Sequence, residues 1–127
     1  MKSMKAAVVA AGTPLALIGM ATGAMAAGTY PFTANFKYRL DSANWSQGAG
    51  TTNYSFTCTS GHGQQYVVTL YKNSVWGDDS KGSKTLMCDG TEDKASWGSL
   101  NSGTYHITLS KGDNGVYVVG SGKVTYP

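Results

Sequence analysis

Three short runs constrain this chain more than any other feature: Tyr54–Cys58, Tyr66–Tyr71 and Lys84–Cys88. Each is rich in β-branched or aromatic residues and is bounded by Gly, Asn, Asp or Ser, which is how strands read. The only two cysteines, Cys58 and Cys88, fall in the first and third runs. A bridge between them fixes two strands around the run that separates them. In the chain-entropy model, closing a loop of that length is worth roughly 3–4 kcal/mol.

The remaining segments follow the same pattern. Phe32, Ala34, Phe36, Tyr38 and Leu40 alternate with Thr33, Asn35, Lys37 and Arg39. This period of two predicts a strand with one buried and one wet face. Tyr54, Phe56 and Cys58 share an inner face, as do Tyr66, Val68 and Leu70. Leu86 and Cys88, Ala95 and Trp97, and Tyr105, Ile107 and Leu109 supply the inner faces of later strands. Val116–Tyr126 reads as one long strand, with a bulge or bend expected at Gly120-Ser-Gly122. No segment carries a helical period. The expectation is an all-β, single-domain antiparallel β-sandwich of about seven to eight strands with one disulfide.

The amino terminus has a different character. Met1–Lys5 is basic, Ala6–Ala21 is apolar, and Ala24-Met25-Ala26 presents small residues to a peptidase. That is the pattern of a secretory signal. The expectation is a signal over residues 1–26, cleavage after Ala26, a domain over 27–127, and a secreted, extracellular protein without stable membrane anchoring. Such an environment favours a disulfide. Cleavage removes Lys2 and Lys5, taking ten basic residues to eight against seven acidic ones, a net charge near +1. No basic stripe remains to argue for nucleic acid.

The second half is similar to the bacterial pre-peptidase C-terminal type of secreted β-sandwich. The likeness rests on Gln65–Lys72, which resembles that family's central strand, and on Leu100–Leu109, which resembles its small-Gly-Thr-Tyr strand. It covers roughly residues 54–126. It implies a non-catalytic accessory module and no catalytic residue.

Chemistry-bearing groups are sparse. His106 lies on an outer strand face and His62 in a Gly-flanked turn, and neither has a nucleophile and orienting partner in the sequence pattern. Asp78, Asp79, Asp89, Glu92 and Asp93 occupy loops without the spacing of a calcium loop, so solvated charge and calcium ligation remain alternatives there. No metal, cofactor or enzymatic activity is expected. What remains is aromatic. Two long polar segments, Asp41–Asn53 and Val75–Lys81, carry Trp45 and Trp76. Ala43–Gln47 within the first offers a short edge strand as an alternative to loop. Each indole either folds back to cap the core or stands out as a recognition ring beside Asn44, Gln47 or Asp78. If both loops reach one end of the sandwich, Trp45 and Trp76 form a platform. The functional expectation is a secreted, non-enzymatic binding module for an extracellular polysaccharide or protein. The alternatives are an inhibitor of a secreted hydrolase, presenting Ser74–Asp79, or a small antimicrobial or toxin-like effector.

Overall fold

The computed structural model describes residues 27–127, so the expected signal segment lies outside the described residues. Nine strands run β1 (Gly28–Phe36), β2 (Arg39–Asp41), β3 (Trp45–Gln47), β4 (Gly50–Ser60), β5 (Gln65–Lys72), β6 (Asp79–Met87), β7 (Glu92–Leu100), β8 (Gly103–Ser110) and β9 (Val118–Tyr126). They form two antiparallel sheets. The first has the order β1-β9-β4-β7, and the second the order β2-β8-β5-β6 with β3 also paired to β8. The expected all-β sandwich is the observed fold.

Between the sheets lies one core. Its layers come from the inner positions of each alternating strand: Phe36, Tyr54, Phe56, Tyr66, Val68, Leu70, Trp97, Tyr105, Ile107 and Leu109 are all buried. Aromatic rings run through it as a column. Phe32 stacks on Phe56 at 5.8 Å, and Phe56 meets Tyr66 edge-on at 5.8 Å. Such geometries add to the stabilisation from burial alone. The Cys58–Cys88 disulfide, with a Cα–Cα distance of 5.5 Å, ties the first sheet to the end of β6 in the second.

Four elements differ from the sequence expectation. The strand expected over Phe32–Leu40 ends at Phe36 and resumes in the other sheet at Arg39, which leaves Tyr38 exposed and not on a buried face. No bulge interrupts β9 at Gly120–Gly122, which pairs regularly with β1. The glycines are there because Phe56 and Phe32 cross them: a Cβ on Gly120 would strike the Thr57 carbonyl oxygen and lie 2.7 Å from Phe56 Cζ. The bulge falls instead in β4, between Cys58 and Ser60.

Strand β6 begins at Asp79, inside the polar segment expected over Val75–Lys81 and ahead of the run at Lys84, so the connection shrinks to residues 73–78. β6 is an edge strand exposed along most of its length, so it carries no alternation to read. Its register slips opposite Leu70, where Gly82 takes φ 118° and turns its carbonyl to accept a 3.0 Å hydrogen bond from the Trp97 indole.

The long loop expected over Asp41–Asn53 is mostly strand. β2 and β3 form one broken edge strand along β8. At the break, Ser42 N donates to the Ile107 carbonyl, and Ser42 Oγ accepts from Ile107 N, each at 2.9 Å.

The end of the sandwich nearest the disulfide is held by a buried lysine. The Lys111 ammonium donates to the carbonyls of Lys37, Gly112 and Val116 and to Asn114 Oδ1 at 2.9–3.2 Å. Four oxygens offset the cost of taking that charge out of water.

Candidate functional site

At the opposite end, the β5–β6 connection turns through Ser74-Val75-Trp76-Gly77. Gly77 N donates to the Ser74 carbonyl at 3.2 Å, closing a four-residue turn, and Gly77 takes φ 115° as no other residue type readily would. Trp76 N donates to Ser74 Oγ at 3.1 Å. Val75 and Trp76 are therefore the central residues of the turn, and their side chains project from its apex. They are 93% and 94% exposed. No other large apolar side chain described is as open.

The base of this tip is fixed. Asn73 N donates to the Thr104 carbonyl at 2.8 Å, pinning the hairpin to β8. His106, on the outer face of β8, stacks on Tyr71 of β5 with ring centroids 5.3 Å apart. Its Nδ1 lies 2.6 Å from Asn73 Oδ1, and its Nε2 lies 3.6 Å from Asp78 Oδ2. One imidazole thus bonds the start of the connection to the sheet and lies close to the carboxylate at its end. Further along the same outer face, Thr108 Oγ1 donates to Asp41 Oδ1 at 2.7 Å. That bond holds the Asp41 carboxyl below the usual carboxylate range, with Arg39 contributing.

Trp45 and Gln47 have a different environment. Trp45 pairs with Tyr105, which pairs with Lys72 at the end of β5, so both tryptophan segments do reach the same end of the sandwich. Trp45 nevertheless points inward. Its ring is sandwiched between Tyr30 at 5.7 Å and Tyr126 at 5.8 Å, and it is buried. Gln47 is fully buried, and its Oε1 accepts from Trp45 Nε1 and from Thr52 Oγ1, each at 2.8 Å. Trp45 and Gln47 are core, and no two-tryptophan platform exists. Asn44 is exposed beside them.

The acidic residues disperse. Asp78 faces His106, Asp79 pairs with Lys81 at 2.8 Å, and Asp89 accepts from Thr91. Glu92 lies 3.6 Å from Lys94. Asp93 accepts from the Tyr66 hydroxyl at 3.0 Å, and partial burial raises its pKa. Among the described residues no three His, Cys, Asp or Glu side chains converge as metal ligands. No helix among them is long and apolar enough to cross a membrane.

Fold and site together define a disulfide-bonded β-sandwich with one apolar hairpin tip. No family model and no curated protein matches the chain. Among solved structures, it is similar to the VP2 subviral particle of infectious bursal disease virus, at 15% identity and a TM-score of 0.43 over 91% of this chain and 38% of that one. The Gt strain of that virus gives 16% identity and a TM-score of 0.39, again over 91% of this chain and 37% of the other. The chain spans well under half the length of these structures, and at such scores the likeness carries no functional argument.

Proposed function

We propose that this chain is a secreted, non-enzymatic binding module that holds an extracellular protein by inserting the Val75–Trp76 tip into an apolar pocket. The observation that carries the reading is the pairing of two fully open apolar side chains at the centre of one tight turn, on a base fixed by Asn73, Asp78 and His106. A fixed tip loses little conformational entropy when it docks. Complete burial of a tryptophan removes roughly 150–250 Å² from water, worth about 4–6 kcal/mol before the costs of association. Protein partners fit this chemistry better than polysaccharides do. A sugar platform calls for flat rings flanked by free polar groups, whereas Trp45 is buried and Asn73 and Asp78 already face His106. Inhibition of a secreted hydrolase is the special case in which the pocket is an active site. Export rests on the signal-like segment over residues 1–26, with which the Cys58–Cys88 bridge is consistent.

Affinity capture from the producer's extracellular fluid tests the reading. A specific partner should be retained by the wild type. Trp76→Ala should weaken its binding by roughly 30-fold or more, as a hot-spot residue does, with the melting temperature nearly unchanged. Undiminished binding by Trp76→Ala and Val75→Ser would overturn the proposal.

A further inference from the structure

The outer face of the first sheet carries a second site, independent of the hairpin. Ser55 on β4 is directly opposite Lys94 of β7 on one side and Lys123 of β9 on the other. All three point outward, so the two lysines flank Ser55 in one row across three strands, roughly 10 Å apart at the backbone. The neighbouring outward row is Thr125, Asn53 and Ser96, again from β9, β4 and β7 in register. Between the two rows lies an open groove of about 570 Å³ lined by these six side chains, with Glu92 at one margin.

The chemistry of the two rows differs. One offers two cations and a hydroxyl, and the other offers hydroxyls and an amide. Lys94 is tied only to Glu92, at 3.6 Å, and both groups are more than half exposed. Such a pair costs little to exchange for another anion. Lys123 forms no ion pair among the described residues. No aromatic side chain reaches the groove, since the Tyr54 ring is buried on the inner face of the sheet, so an aromatic or lipid ligand finds no surface there. We propose that this groove binds an acidic polysaccharide lying across β9, β4 and β7. Its anionic groups would meet Lys123 and Lys94, and its hydroxyls would meet Thr125, Asn53 and Ser96. Two sugars of an extended chain span about that distance, so a chain charged at every sugar or at every second sugar presents an anion to each lysine. The anion's shared chemistry is that of a carboxylate, a sulfate or a phosphodiester.

The test is titration of the purified protein with three probes: an oligogalacturonate, a sulfated oligosaccharide and a phosphodiester-linked oligosaccharide. A neutral oligosaccharide and single-stranded DNA serve as comparisons. At least one anionic probe should bind, with affinity falling as salt rises. Lys94→Ala and Lys123→Ala should each weaken it roughly two- to fivefold, as loss of a solvent-exposed ion pair does. Ser55→Trp, which fills the groove and leaves both charges, should abolish binding. Lys84→Ala, on the other sheet, should change nothing. The preferred probe identifies the anion. The proposal is overturned if no anionic probe binds, if the neutral sugar or the DNA binds as tightly, or if Ser55→Trp binds like the wild type.

Discussion

Replacing Gln47 with Leu tests how the tip end of the sandwich is sealed. Gln47 Oε1 is the acceptor for two buried donors, the Trp45 indole and the Thr52 hydroxyl, and both residues are themselves buried. Leucine keeps the bulk and removes the acceptor. Each orphaned donor costs about 1–3 kcal/mol, so Gln47→Leu should destabilise by roughly 2–6 kcal/mol. For a domain of about 100 residues, each kcal/mol lowers the melting temperature by roughly 4–8 °C, which makes the loss large in any thermal melt. Thr52→Val alone leaves Gln47 bonded to Trp45 and should cost roughly 1 kcal/mol. In the double variant the valine removes one of the orphaned donors. The combined loss should therefore fall short of the sum of the two single losses by about 1 kcal/mol or more. Denaturant melts of the four proteins supply the cycle. A Gln47→Leu protein within about 0.5 kcal/mol of wild type, or strictly additive losses, would refute the claim that Gln47 closes a dry network.

Other consequences follow from packing and charge. Paired Cys58→Ala and Cys88→Ala substitution should cost roughly 2–5 kcal/mol in a denaturant melt, because the bridge is the covalent tie between the sheets. Gly120→Ala drives a methyl against the Thr57 carbonyl and the Phe56 ring and should destabilise by at least about 1–3 kcal/mol. Burial raises the Asp93 pKa, so its ionised form is disfavoured in the folded state. Wild type should therefore gain stability relative to Asp93→Asn as pH falls through the carboxylate range and lose it again as pH rises, which melts at pH 3.5 and 7 compare.

How much was legible in the sequence depended on burial on one face. Strands β4, β5 and β8 alternate because one side meets the core, and their inner residues could be named in advance. β6 could not, since an exposed edge strand built from Lys, Ser, Gly and Thr has no buried face to impose a period. The misplaced tryptophan is instructive. Trp45 sits in a Ser-, Ala- and Gly-rich stretch that resembles loop, yet Trp45 and Gln47 share a face, and Gln47 supplies the acceptor that lets the indole N–H be buried. That spacing of two was the available signal. Trp76, with Ser74 before it and Gly77 after it, had turn chemistry on both sides and no same-face acceptor. The groove between Lys94 and Lys123 was invisible for another reason: its rows exist only once β9, β4 and β7 are in register. Nothing in the local sequence brings those residues together.

The central claim is that Trp76 is the contact, and its own fluorescence tests that most directly. Trp45 and Trp97 are 6% and 4% exposed, whereas Trp76 is 94% exposed. In the free protein, acrylamide should therefore quench one class of emission, that of Trp76, and Trp76→Phe should remove it. With saturating partner, the quenchable class should disappear and the emission should shift to the blue. A quenchable fraction left unchanged by saturating partner would mean that the tip stays in water when the protein binds, and the account of its function would be wrong.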